Sequence, residues 1–453
     1  MRTLLARLGL GIFLGMVSTR SVSAAEAVKA TLAGYAVLPA MSFVPPPSDA
    51  GSGFVVSGRF AAINNQRVEE IASVEGKSFV DGRTTGISLP FVGQPIQGFS
   101  GIETLARDRF RVLIDNGFGS KANSPDALLS FHEVAVDWEN GQVRLTKSVF
   151  LQDPNKVIPF RIANEFTTRR YLTGADLDPE SIQTIGDLHW IGDEFGPYLI
   201  ATDGNGKVVA FFETEVDGKV VRSPDHHTVT TPATPGAVNF EARRSRGFEG
   251  MAASPDGRFL YAMLEGPLYL GEPPALETVG DKEVLRILEF NVEERKWTGK
   301  SWKYPLEVAG NNIGDFNMID ATRALVIERD SNEGDPRLAC KGEQKTDCFP
   351  KAAEFKRVYL IDLAQADSAG LVKKVAYIDL LDIADPKGIG KTATVDGRFT
   401  FPFVTIENVD VVDDQHIVVA NDNNLPFSAG RLPNAADANE FILLNVGNFF
   451  TLR

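Results

Sequence analysis

The chain has 453 residues, 43% of them hydrophobic and 23% charged, proportions that exclude a disordered or fibrous protein. Sixty Asp and Glu against 46 Lys and Arg leave a net charge of −14, which argues against nucleic acid or anionic lipid as partners and favours cations. Only five His are present, so His-based catalysis has little scope.

Residues 1–25 have the layout of a secretory signal. Arg2 and Arg7 give a basic start, Leu8 to Val17 a short apolar stretch, and Ser23-Ala24-Ala25 the small residues of a cleavage site. The apolar stretch is too short to span a membrane, and no later run reaches about 18 apolar residues. A periplasmic or secreted protein follows, soluble and not inserted in a membrane once the signal is removed. Residues 26–52, with Pro45-Pro46-Pro47 and Gly51-Ser52-Gly53, read as a flexible lead-in, and residues 53–453 as one domain.

From there the hydrophobic period is two. Phe110-Arg111-Val112, Val143-Arg144-Leu145 and Phe259-Leu260-Tyr261 lie in short strand-like runs. Between such runs stand Asn140-Gly141, Asp203-Gly204, Asp217-Gly218, Asp256-Gly257 and Asp396-Gly397, which suit hairpin turns. The chain is expected to be all-β. Cys340 and Cys348 bound a polar loop, and in an exported protein they read as a local disulfide, with no His or further Cys nearby to suggest a metal.

A repeat underlies the strands. Its copies open on Glu103, Glu180, Glu249, Asp315 and Glu407, spaced 77, 69, 66 and 92 residues apart. Each closes 12 to 16 residues later, on Asp115-Asn116, Asp193-Glu194, Glu265, Glu328 to Asp330, or Asn421-Asp422-Asn423. Four-stranded propeller blades give such periods, and the length admits six blades or five. In an antiparallel hairpin the first strand starts on the face where the second ends, so opening and closing acids should meet at one mouth. Oxygen ligands at that density favour Ca²⁺ over transition metals. The expected ligands are Glu103, Asp115, Glu180, Asp193, Glu249, Asp315, Glu328, Glu407 and Asp422, with Asn421 and Asn423 available to substrate.

For catalysis, Glu194 and Glu265 are candidate bases; His189 is a third candidate or else a packed strand residue. There is no G-x-S-x-G elbow and no H-E-x-x-H, so a serine hydrolase of that type and a zincin are disfavoured. His226-His227 reads as solvated. Cations for an anionic substrate are Lys121, Arg170, Arg329 and Arg431; Arg329 either enters the channel or pairs with a neighbouring blade.

The segments LTGADLDPESIQ, WIGDEFGPYLIATDGNGKV, GFEGMAASPDGRFLYAMLEGPL, FPFVTIENV and NDNNLPFSAGR resemble the phytase-like (esterase-like activity of phytase) family of exported bacterial proteins, over residues 55 to 450. The resemblance implies a β-propeller and an ester or phosphoester hydrolase; it carries over no residue role. Three readings stand: a Ca²⁺-dependent hydrolase of a small-molecule phosphoester or carboxylic ester, a lactonase-type esterase, and a non-catalytic propeller binding a small anion, metal or protein. A monomer is expected.

Overall fold

The computed structural model describes residues 24–60, 74–229, 240–342 and 346–453, so the signal segment expected at the N-terminus lies, up to residue 23, outside the described residues. The chain opens with β1 (Glu26–Val28) and β2 (Thr31–Leu38). Blade one is β3 (Phe99–Ala106), β4 (Arg109–Ile114), β5 (Ser130–Asp137) and β6 (Gln142–Phe150). Blade two is β7 (Pro179–Ile185), β8 (Leu188–Asp193), β9 (Tyr198–Asp203) and β10 (Val208–Glu213). Blade three is β11 (Phe248–Ala253), β12 (Phe259–Leu264), β13 (Lys282–Asn291) and β14 (Lys296–Pro305). Blade four is β15 (Asn312–Met318), β16 (Arg323–Arg329), β17 (Lys356–Asp362) and β18 (Lys373–Asp379). Blade five joins β19 (Ile406–Asp413), β20 (His416–Asn421) and β21 (Asn439–Asn445) to β2 as its outermost strand.

The five inner strands β3, β7, β11, β15 and β19 pack in a closed cycle, so the fold is a β-propeller and its described residues make five blades, the lower of the two counts expected. The apolar core is divided accordingly. Leu113 and Phe131 of blade one meet Ile182 and Ile191 of blade two. Trp190 and Leu199 meet Phe248 and Phe290, Met263 and Ile287 meet Phe316 and Val326, Leu325 and Val358 meet Ile406 and Ile417, and Val418 and Phe441 meet Phe99 and Val112. Each blade is apolar on both faces because each is clamped between two others. Near the axis there is room for little: a Cβ on Gly250 of β11 would stand 2.8 Å from the Phe316 nitrogen of β15.

Two expected hairpins take the tightest turn form. Asp217-Gly218 and Asp396-Gly397 both have positive φ at both residues (52° and 75°, 52° and 72°).

The expectation of a loose lead-in fails for residues 26–38. β1 adds in parallel to the outer edge of β18 in blade four, and β2 closes blade five by antiparallel pairing with β21. The alternation in Thr-Leu-Ala-Gly-Tyr-Ala-Val-Leu, with Leu32, Ala36 and Leu38 buried, is the physical reason. One segment thereby ties the first residues of the fold to its last two blades. Among the described residues no helix is long and apolar enough to cross a membrane.

Two predictions follow from this closure. Ala36→Asp would bury an unpaired carboxylate in blade five and should destabilise the protein by about 3 kcal/mol or more, whereas Ala33→Asp, at an exposed position of the same strand, should be nearly neutral in thermal unfolding. Cys340 and Cys348 are bonded, with Cα atoms 5.0 Å apart. Native protein should therefore show no free thiol, and reduction should cost about 2.5 kcal/mol by loop entropy without unfolding the blades. Thiol labelling before and after reduction, followed by melting, checks both statements.

Candidate functional site

The mouth is built by one irregularity repeated in each blade. The ladder between the two innermost strands slips by one residue between Pro179 and Ser181, between Phe248 and Gly250, and between Ile406 and Asn408. Glu180, Glu249 and Glu407 are the extra residues of these bulges. A bulge turns its extra side chain out of the pleat, here toward the axis. In blade one the extra residue is Ser100, in β3, where Phe99 and Gly101 pair with Ile114 and Leu113. Blade four also slips by one residue, between Ile313 and Phe316, where Gly314 and Asp315 stand opposite Ile327 alone.

A second set comes from the ends of the second strands. Asp115, Glu194, Glu265 and Asp422 directly follow β4, β8, β12 and β20, and in blade four the matching place holds Arg329, the last residue of β16. The Arg329 guanidinium is thus fixed among acids, 2.6 Å from Glu407, 3.6 Å from Glu249 and 3.8 Å from Glu265. Ser100 donates to the other oxygen of Glu407 at 2.9 Å. Arg246 pairs with Glu265 from the rim.

Two clusters of carboxylates share one member. Oxygens of Asp178, Glu180 and Glu194 lie within 4.8 Å of one another, as do oxygens of Glu194, Glu249 and Glu265. All five side chains are buried, and Oε1 of Glu194 and of Glu249 has no hydrogen-bond partner. Burial first, and then the neighbouring negative charges, hold Glu180, Glu194 and Glu249 well above the usual carboxylate range. Burial and the charge of Asp178 raise Asp115 to about 8. Glu407 is raised by burial too, with Arg329 opposing.

The structure brings Asp115, Glu180, Glu194, Glu249, Glu265, Arg329, Glu407 and Asp422 to the mouth. It separates the others. Glu328 points away from the axis, bound to the Tyr304 hydroxyl at 2.7 Å, to Asn311 at 2.9 Å and to Lys374 at 2.7 Å; strand alternation sends it outward because Arg329 goes inward. Glu103 lies further down β3, paired with Arg111 and with Thr184 at 2.7 Å. Asp315 accepts from the Phe316 amide at 2.8 Å and the Asn317 side chain at 3.0 Å. Asp193 accepts amides of Asp178 and Gly196 at 2.8 and 2.7 Å, with burial raising it to about 7. His189 sits between blades one and two, 2.9 Å from Thr184 and edge-on to Phe131, and burial pushes it down to about 4.

Of the expected cations, only Arg329 reaches the acids. Arg170 is buried against Asp153 and Glu165 (3.1 and 2.7 Å), and Arg431 against Glu440 at 2.6 Å. Lys121 donates to the Asp225 carbonyl at 3.0 Å and lies over the Phe195 ring at blade two's rim. Asn421 and Asn423 hold backbone carbonyls of Ala438 and Asp437 (3.0 and 3.2 Å). His226, expected in solvent, is buried. Sequence reasoning missed Asp178, Ser100 and Arg246 as parts of the mouth. Asp178 could have been found from its place in Asp178-Pro179-Glu180, the start of the second copy.

No curated protein matches the chain. Among solved structures, the Dos1 propeller overlaps 81% of this chain and 72% of its own at 11% identity and a TM-score of 0.30. A putative 6-phosphogluconolactonase from Bacteroides fragilis NCTC 9343 overlaps 77% and 87% at 12% identity and 0.30. A luciferin-regenerating enzyme overlaps 79% and 81% at 10% identity and 0.33. Overlaps that partial leave the fold resting on the strand ladders themselves. The sequence match is firmer: residues 94–425, well over half the chain and all of the mouth, match the family model described as phytase-like, esterase-like activity of phytase, and the chain belongs to that family.

Proposed function

We propose that the protein is an exported, metal-dependent hydrolase of a phosphoester or carboxylic ester, with its active site in the acidic mouth. The family supports a hydrolase kind. The observation that carries the metal is the pair of buried oxygens, Oε1 of Glu194 and Oε1 of Glu249, that have no hydrogen-bond partner, the second with only a long ion pair to Arg329 at 3.6 Å, each within a carboxylate cluster. A donor set made only of oxygens suits Ca²⁺. Asp178, Glu180, Glu194, Glu249 and Glu265 would hold it, and bound there it would supply positive charge that polarises a phosphoryl or carbonyl oxygen. Export is supported by the disulfide and by the N-terminal sequence.

The chain's own residues divide the remaining work. Arg329 keeps Nε without a partner while its NH2 holds Glu407, so the guanidinium has a donor left for an anionic oxygen of the substrate. Without a cation, burial and neighbouring charge hold the Glu194 carboxyl well above its usual range; holding the cation it would be a carboxylate, and in that form it, or Glu265, can accept the proton of the attacking water. Which ester fits is decided by turnover of aryl phosphate, aryl phosphodiester, aryl acetate, lactone and phytate, with Ca²⁺ or EDTA. Turnover of none of them refutes the hydrolase and leaves a propeller that binds an anion, metal or protein.

Removing the cation should leave the acids facing one another. EDTA should lower the melting temperature by several degrees, and Ca²⁺ should restore it better than Mg²⁺, which demands a tighter octahedron; saturation at 100 times Kd is worth about 2.7 kcal/mol. Glu249→Gln keeps the shape and drops a charge, so Ca²⁺ affinity should fall by about ten-fold or more, equivalent to ~1.4 kcal/mol, together with turnover.

The pH dependence has a definite sign. In the unfolded chain carboxyls ionise near pH 4, whereas Asp193 and Asp115 do so near 7 and 8 in the fold. Between those limits the folded state holds more protons, so metal-free protein should lose stability as pH rises from about 4 to about 8. Thermal unfolding across that window should show the fall in EDTA and a flatter profile in Ca²⁺.

A further inference from the structure

On the far side of blade two from the axis, three side chains of a different chemistry converge. Glu213 ends the outermost strand β10, and His226 and His227 lie in the loop that returns over it. His226 Nε2 is 3.4 Å from Glu213 Oε1, and His227 Nε2 is 3.7 Å from the same oxygen. The His226 side chain is 0% exposed, yet its Nε2 has no hydrogen-bond partner. We infer that Glu213, His226 and His227 form a second metal site, for a tetrahedral transition ion of the Zn²⁺ type.

The distances carry the choice of ion. Zn²⁺ bonds of about 2.0–2.1 Å in tetrahedral geometry put neighbouring ligand atoms about 3.3–3.4 Å apart. The two observed separations match that edge or exceed it slightly. Two imidazoles and one carboxylate leave the fourth position for water, and Glu213 and Thr228 line an open groove with Lys219, Arg222 and Glu241 through which an ion can enter.

The ligands are held in place beforehand. The two imidazoles stack with centroids 4.7 Å apart, and Phe160 stacks on His227 at 5.3 Å. Tyr198 fixes the loop by accepting the His227 amide at 2.8 Å, and its oxygen lies 3.0 Å from His227 Nδ1. His226 Nδ1 lies 2.9 Å from Thr228 Oγ1. A proton on His227 Nδ1, donated to Tyr198, leaves the His227 Nε2 lone pair for a metal. At His226 the Thr228 amide donates to Nδ1 at 3.2 Å, so a metal at Nε2 would require that bond to give way to one from Nδ1–H to Thr228 Oγ1, 2.9 Å away. The mouth, built of carboxylates, and this site would select different ions.

The test uses the full exported chain, stripped of metal and loaded with Zn²⁺ in the presence of excess Ca²⁺. One Zn²⁺ per chain should survive gel filtration, and Co²⁺ in its place should show the visible absorption of a tetrahedral site. Glu213→Gln and His227→Ala should each weaken Zn²⁺ binding by about a hundred-fold or more, and Tyr198→Phe, which removes the partner of Nδ1, by about ten-fold. Glu180→Gln should leave Zn²⁺ binding unchanged. Glu213 is partly exposed, so its variant keeps the test valid should the His227 variant fail to fold. No retained Zn²⁺, or Zn²⁺ lost in Glu180→Gln and kept in Glu213→Gln, would overturn the site. Neither result bears on turnover at the mouth, so the two readings stand or fall separately.

Discussion

Like charges gathered where five sheets meet are the constraint around which this molecule is organised. Carboxylates lose their hydration when buried, and each neighbour of the same sign adds to the cost. Glu180, Glu194 and Glu249 meet both penalties. Such an arrangement persists only with positive charge, protons or both among the acids. Arg329 supplies part of the charge from within the chain. It stands at the place where the other four blades set an acid, so the ring is asymmetric: Glu407, Glu249 and Glu265 share a guanidinium, while Asp178, Glu180 and Glu194 have none within salt-bridge distance among the described residues.

The backbone makes this crowding possible. A regular strand would send Glu180, Glu249 and Glu407 into the faces between blades, where Trp190, Phe248 and Phe316 pack. The bulge at each position rotates one residue out of register without disturbing the apolar alternation beyond it. Close approach of the inner strands, seen where Gly250 lies against β15, brings the re-aimed side chains within reach of one another. Apolar packing between blades thus supplies the stability that the charged axis costs.

The ring is closed by pieces remote in sequence. β2, near the start of the chain, completes the blade whose other strands end the chain, and β1 seals the neighbouring blade's edge. This removes an exposed edge from blade five and makes the last blade depend on the first residues of the fold. The loop over β10 is a local instance of the same economy, in which aromatic stacking holds His226 and His227 against Glu213.

By itself, the sequence determined the all-β class, the propeller, the local disulfide and the acids that repeat along the chain. Period-two alternation, turn dipeptides and recurrence at fixed spacing are local signals, and local signals survive in a one-dimensional string. Spacing alone could not separate Glu328 from Arg329, because adjacent strand residues face opposite ways and one register step exchanges them. Nor could it show that Glu103 falls three places beyond the bulge that Ser100 occupies, or that Arg170 and Arg431 are spent on buried partners at Asp153 and Glu440. The short segment 31–38 was overshadowed by the prolines and glycines after it, and its partner β21 lies some 400 residues away. Which acids converge, which cation joins them and which strand closes the ring are properties of long-range pairing, and only the tertiary structure decided them.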